Sequence, residues 1–433
     1  MAPTWWVFAT ASAAAFALAD GLDGGSAPSS SRSRLSPAAL STADAARFQR
    51  WLWQRQHPTD CMGAVGSFTP TGYFYALGLG AQMVSLKFNF LHAVLQGHVY
   101  HFPTSHYVNP LRCASRSFDC YFEPPTNCTA HARKKEAKIH WCFDLPRRRL
   151  SRLAGLHTVH PKEWYHAQVA AFLFRPNREL RTIGRELLAN MEASGPAPAG
   201  PRAGGRVAGG AASNSSGSCA ALHIRRTDKH TEDHRTAQRS FADFAQLFKS
   251  WTYWRHRGPI GAMRAFLGSE DPATFRSMPP LLAPFDAYWI PSRYFVMDMQ
   301  IKATRFFDIK QGNSRLGELY GLLEDRAGAI RKQATSAERA ALMKDEGQIL
   351  IAQILLMSGC EALIASYSSN VAILVHDLML ARRISRGEEM HAMDVNGRVY
   401  CGCGASFCMQ LERKLVRDSS GRSAKHVIDT FKY

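Results

Sequence analysis

Several signatures are missing from this 433-residue sequence. It has no GxxxxGK[ST] loop and no GxGxxG fingerprint, which argues against a P-loop nucleotidase and an ordinary NAD enzyme. No zinc finger, RNA-recognition motif or basic zipper occurs, so nucleic acid is not the expected partner. No CxxC pair stands with a second such pair or a His pair, so no metal site is expected. Acidic side chains are in deficit: Asp plus Glu number 35 against 53 Lys plus Arg, a formal net charge of +18. Such a balance fits a nucleic acid, a membrane surface or an anionic substrate. Much of the excess lies in Arg133-Lys134-Lys135, Lys138, Arg147-Arg148-Arg149 and Arg152. No aromatics interleave there at stacking intervals, so the stretch reads as a solvated basic loop, with an anionic membrane surface or a glycan as its functional reading.

Charge is also lacking from Met1 to Ala19. The apolar run from Trp5 to Ala19 falls short of the roughly 20 residues a spanning helix needs. Ala17-Leu18-Ala19 before Asp20 resembles a small-residue cleavage site, although no Lys or Arg precedes the run. A signal peptide or short signal anchor is expected over 1–19, giving at most weak membrane anchoring. A Gly/Ser/Ala-rich disordered stem is expected over 20–47. The 10 cysteines, with clusters at Cys113, Cys120, Cys128 and Cys142 and at Cys401, Cys403 and Cys408, read as disulfides of unassigned connectivity. Asn127 and Asn214 begin sequons. Together these point to the secretory pathway, in the Golgi or endoplasmic reticulum lumen.

What remains has α/β character. A first α/β domain is expected over 48–192, with a glycine-containing turn (Gly78, Gly80) leading into an apolar helix and a second helix over Trp164 to Phe174 ended by Arg175-Pro176. Residues 193–218 are Gly, Ala, Pro and Ser and read as a flexible linker or insertion. A second domain over 219–433 repeats strand, polar turn and helix: Ala220 to Ile224 before a helix near Phe244, then Ala265 to Leu267 before a helix capped by Asp271 with Pro272 in its first turn, then Ala362 to Ala365 before Val371 to Leu380. This alternation predicts a parallel, doubly wound sheet.

Two strand ends carry the candidate chemistry. The run Ala220-Ala221-Leu222-His223-Ile224 ends abruptly in Arg225-Arg226-Thr227-Asp228-Lys229. Ligands of open α/β sheets bind where strands end, and guanidinium offers permanently charged, paired donors for phosphate or carboxylate. Ser368-Ser369-Asn370 sits where another strand gives way to a helix, whose first amides lack partners and carry the positive dipole end. The pair suggests one diphosphate held from two sides.

His223-Ile224-Arg225-Arg226-Thr227-Asp228-Lys229 with Glu232 closely resembles the signature of α1,6-fucosyltransferases. Trp164 to Pro176 with Gln168, Phe266 to Pro272 with Glu270-Asp271, and Ser358 to Met379 with Tyr367-Ser368-Ser369-Asn370 match in order. A weaker likeness extends back to Pro58, Cys61 and Gly78-Leu79-Gly80-Ala81-Gln82. The resemblance implies a two-domain, GT-B-like α/β glycosyltransferase with a Rossmann-like C-terminal domain for the nucleotide sugar. It implies GDP-fucose as donor, no cofactor or metal, inversion at the sugar, and a glycan or glycoprotein acceptor. Arg225 would stabilise the leaving phosphate with Arg226 assisting, Glu232 would act as base, Lys229 would lie nearby, and Asp228 would orient the arginines. His223, Glu270, Asp271, Ser368, Ser369 and Asn370 would complete the donor site. Where the family reads guanine with an aspartate, this sequence has Gln353. The N-terminal coiled coil and C-terminal SH3-like domain of the animal members are not expected in this sequence, where no heptad run precedes residue 48 and about 33 residues follow Tyr400. Two alternatives stand beside this reading: a protein O-fucosyltransferase or other sugar-nucleotide transferase, and a glycan-binding protein without turnover.

Overall fold

The computed structural model describes residues 41–61, 67–70, 78–105, 108, 113–128, 134–137, 145–194, 219–225, 239–255, 263–269, 271–290, 346–367, 369–395, 398–400 and 407–409. The chain opens with α1 (Thr42–Gln56), β1 (Ser67–Pro70), α2 (Leu79–Leu95), β2 (Val99–Tyr100), β3 (Lys134–Ala137), α3 (Arg147–Leu153), α4 (Lys162–Leu173), α5 (Arg178–Ala189) and β4 (Glu192–Ser194). It continues with β5 (Cys219–Ile224), α6 (Phe241–Arg255), β6 (Arg264–Ser269), α7 (Pro272–Leu282), β7 (Ala287–Trp289), α8 (Glu346–Met357), β8 (Ala362–Ala365), α9 (Asn370–Arg386), β9 (His391–Asp394), β10 (Arg398–Tyr400) and β11 (Phe407–Met409). Strands β2, β1 and β3 form a small parallel sheet, and β10 and β11 an antiparallel pair.

The main sheet has the order β4-β7-β6-β5-β8-β9, with β4 antiparallel and the rest parallel. Counted in chain order, its five parallel strands run 3-2-1-4-5. This is the doubly wound order, which switches direction between β5 and β8. Side chains alternate between the faces, as the two-residue period of a strand requires. Ala220, Leu222, Ile224, Leu267 and Ile364 pack with Phe244 and Phe248 of α6 and Met278 of α7. Ala221, Phe266, Leu363 and Ala365 join the opposite core with α8 and α9. His223 and Gly268 are register partners and belong by parity to this second face.

That second core does not stop at the sheet's own helices. It runs without a break into Phe48, Leu86, Phe90, Trp164 and Phe172 of α1, α2 and α4. Helix α9 lies between the sheet and these helices, with all its positions from Val371 to Ala381 buried. A fully buried ion pair joins Lys87 of α2 to Asp377 of α9, and His376 Nδ1 lies 3.1 Å from the other Asp377 oxygen. Burial alone would raise the Asp377 pKa, but attraction to Lys87 and the His376 hydrogen bond prevail and hold it at about 2. A second buried carboxylate, Asp44 of α1, accepts the His157 amide at 3.2 Å and the Thr158 hydroxyl at 3.3 Å, and lies 2.9 Å from His160 Nε2.

Some expectations change. Helix α1 begins within the stretch read as disordered stem; Ser41 accepts the Asp44 amide at 3.2 Å, and Asp44 and Ala45 are buried. The boundary expected at 192/193 falls inside β4, which pairs antiparallel with β7 at the sheet edge. The basic stretch read as loop contains β3 and α3. The reading of Asp271 as a cap holds, since it accepts the Ala273 amide at 2.9 Å, and Ser240 and Asp243 form a reciprocal capping box at the start of α6. Disulfides join Cys61–Cys128, Cys113–Cys120 and Cys219–Cys360, so only one bridge lies within the first cysteine cluster. Asn127 is exposed; Asn214 and residues 1–40 lie outside the described residues. No helix among the described residues is long and apolar enough to cross a membrane.

Candidate functional site

The two strand ends singled out in the sequence adjoin across the switch point. Strand β5 pairs directly with β8, His223 opposite Ala365. The His223 ring reaches past the strand end to the loop before α9, with Nε2 3.0 Å from Ser369 Oγ. Both residues are buried. Burial depresses the His223 pKa to about 3, with the Arg225 charge adding to the effect. The ring is therefore neutral at ordinary pH. It braces the site and does not shuttle protons.

This bond has a second effect. Ser369 is the N-cap of α9, yet its side chain accepts no amide of its own helix. The leading amides of α9 keep their capacity for an external acceptor and stand at the positive pole of a 17-residue helix. Beneath the turn, the Tyr367 amide donates to Asp394 Oδ1 at 2.7 Å and the Ser369 amide to the Ser366 carbonyl at 3.0 Å. These bonds fix where α9 begins.

A second helix starts at the same place. The N-cap of α2 is Gly78, which has no side chain to cap it. A Cβ added at Gly80 would stand 3.0 Å from Val371 Cγ2 and 3.3 Å from the Val371 nitrogen. A side chain there would press on Val371 at the start of α9. The Lys87–Asp377 pair lies about two turns further along each helix, so α2 and α9 run parallel and bring two positive poles together. Sequence reasoning noted the Gly78 and Gly80 turn but did not connect it to the serine turn. The contact is tertiary, and Gly78-x-Gly80 at a helix start is its only local trace.

Gln353 approaches from α8. It is buried, and its Nε2 has no hydrogen-bond partner among the described residues. The nitrogen lies 3.2 Å from the place a Cβ would take on Gly268, and Met357 Sδ lies 2.6 Å from that place. The missing side chain of Gly268 thus lets α8 settle onto β6 beside His223. An unpaired buried donor costs about 1–3 kcal/mol, which a ligand acceptor would recover.

The structure brings together His223, Arg225, Ser369, Asn370 and Gln353 around the carboxyl ends of β5, β6 and β8, with Arg225 half-buried directly after β5. Asp271 lies at the end of β6 but uses its carboxylate to cap α7. Arg226, Asp228, Lys229, Glu232, Glu270 and Ser368 lie outside the described residues. Among the described residues, no group of three or more His, Cys, Asp or Glu side chains is placed to hold a metal ion.

A parallel sheet wound 3-2-1-4-5, with a cation and two open helix N-termini at its switch point, defines a doubly wound α/β protein whose ligand crevice suits an anion. No family model matches the chain, and no curated protein matches it in sequence. Among solved structures it is similar to the α-1,6-fucosyltransferase NodZ. A crystal soaked with GDP-fucose is 12% identical, with 72% of this chain and 91% of that chain covered and a TM-score of 0.35. A co-crystal with GDP is 12% identical, with 73% and 91% covered and a TM-score of 0.34. The fucosyltransferase NodZ from Bradyrhizobium is 12% identical, with 73% and 92% covered and a TM-score of 0.35.

Proposed function

We propose that this protein transfers fucose from GDP-fucose to a hydroxyl of a glycan, with inversion and without a metal. The observation that supports the reading is the His223–Ser369 bond, which ties the end of β5, where Arg225 stands, to the N-terminus of α9. The diphosphate lies against the amides leading α9 and α2, with Arg225 closing the third side. Cleavage of the bond between C1 of fucose and the phosphate oxygen leaves the electron pair on GDP, and Arg225 offsets the charge that develops there. The acceptor oxygen bonds to C1 from the opposite face. Its proton passes to a carboxylate, the role assigned to Glu232 by the resemblance of the arginine motif. Gln353 meets the base through its amide.

Gln353 also favours a second reading, a transferase whose donor carries a base other than guanine, because an amide supplies no charge where the family uses an aspartate. One experiment separates the two: nucleotide release is measured over a panel of sugar nucleotides with an N-glycan acceptor, alongside thermal shifts with GDP and UDP. GDP at about one hundred times its dissociation constant should add about 2.7 kcal/mol. A shift with UDP and none with GDP rejects the guanine assignment; release from no donor rejects transfer.

A further inference from the structure

A second cleft among the described residues lies away from the switch point. It measures about 650 Å³ and is lined by Arg147, Arg148, Arg149, Arg152 and Lys162, with aliphatic contributions from Leu145, Pro146 and Val159. From 145 to 162 the sequence contains no Asp or Glu. We propose that this cleft is an exosite for an oligosaccharide carrying several sulfate groups.

The cations are held on a fixed frame. Helix α3 buries Leu150 and Ser151, and the Ser151 hydroxyl donates to the Thr158 carbonyl at 3.0 Å. The Tyr165 hydroxyl donates to the Arg147 carbonyl at 3.3 Å, and Arg149 donates to the Leu95 carbonyl at 3.3 Å. Gly155, with φ of +62°, turns the chain back so that Val159 and Lys162 face α3. Gathering Arg147, Arg148, Arg149 and Arg152 is repulsive, and none of the described residues lining the cleft is an acid. An anionic ligand does.

The site is separate from the donor crevice. Gly387, just past the C-terminal end of α9, lies against Thr42 of α1, a Cβ there being 3.9 Å from Thr42 Cγ2. Two residues on, Asp44 binds His157, Thr158 and His160, which lead into Lys162. The cleft therefore sits at the C-terminal end of α9, about 25 Å along that helix from the donor crevice.

The lining selects the ligand class. Guanidinium forks match sulfate oxygens in pairs. Aliphatic side chains suit the C–H faces of sugar rings. Among the described residues lining the cleft none is aromatic, which disfavours unpaired bases that need a ring to stack on.

The test uses the full chain and four probes: a size-homogeneous heparin hexasaccharide, its desulfated counterpart, a single-stranded oligonucleotide of equal charge, and phosphatidylserine vesicles. The sulfated hexasaccharide should bind and the desulfated one should not. Arg148→Ala/Arg152→Ala should weaken binding at least about tenfold, with melting temperature and nucleotide-sugar turnover unchanged. Arg178→Ala/Arg185→Ala, which removes equal charge from α5, should change affinity less than about threefold. Arg148→Lys/Arg152→Lys keeps charge and fold but loses the planar forks, and should weaken binding severalfold. Wild-type affinity in both cleft variants overturns the proposal, as does equal affinity for the oligonucleotide or the vesicles. Turnover is read separately, so loss of the exosite and loss of the transferase reading are distinguishable.

Discussion

Replacing Lys87 with Met tests how α2 and α9 are held together. Lys87 and Asp377 are both fully buried. Removing the ammonium leaves an uncompensated carboxylate in the core, which costs about 3–5 kcal/mol. The pKa gives an independent measure. Asp377 titrates at about 2 when folded, against an ordinary 3.8. Its folded pKa is the lower, so its contribution is complete above 3.8 and fades as pH falls toward 2. The difference corresponds to about 2 kcal/mol. Urea unfolding followed by tryptophan fluorescence at neutral pH should show a midpoint lowered by roughly 1–2 M. Lys87→Met/Asp377→Leu, which removes both charges, should recover most of the loss, because apolar replacements of buried pairs are often neutral or stabilising. The pair also sets the axial register that places Gly80 against Val371, so Lys87→Met should weaken GDP binding in the protein that remains folded. An unchanged midpoint for Lys87→Met, or a double variant no more stable than the single, refutes this account.

Arg225→Ala should lower transfer by about 10²–10³ while the melting temperature holds, and Arg225→Lys should recover little, because an ammonium does not reproduce a planar fork; steady-state kinetics reads this. Gly80→Val should push the start of α2 away from Val371 at a cost of about 1–3 kcal/mol and reduce GDP affinity more than stability, as calorimetry with GDP would show. His166 and His223 are each held at about 3 by burial. The unfolded chain binds protons that these rings do not, so between about pH 6 and 4 stability should fall as pH falls, by about 1.4 kcal/mol per pH unit for each. Urea titrations across that range should show a shallower slope for His166→Gln than for the wild type.

Strand ends were legible where local chemistry is abrupt. The apolar run to Ile224, the capping carboxylate Asp271 and the serine turn before α9 all announce themselves within a few residues. The α1 start was missed because Ala-rich, charged composition reads as stem; burial of Asp44 depends on His160, more than a hundred residues away in sequence. The spacing of Ser41 and Asp44 was the available clue. The arginines of α3 read as solvated loop because nothing local shows that Leu150, Ser151 and Tyr165 fasten them. Gly80 against Val371 and Gly268 beneath Gln353 were likewise invisible, since a glycine's use for close approach is decided by what approaches.

The continuous core around α9 limits how the molecule can open. A protein whose halves rock about a hinge needs a seam that parts at low cost, wet or weakly packed. Here the would-be seam is filled by Leu86, Phe90, Trp164 and Phe172 on one side and by α9 on the other, with an ion pair sealed inside it. Prising it open would expose hydrocarbon and strand two charges together. Opening at the crevice would therefore be local to the carboxyl edge of the sheet, with the body of the molecule as a fixed frame behind it.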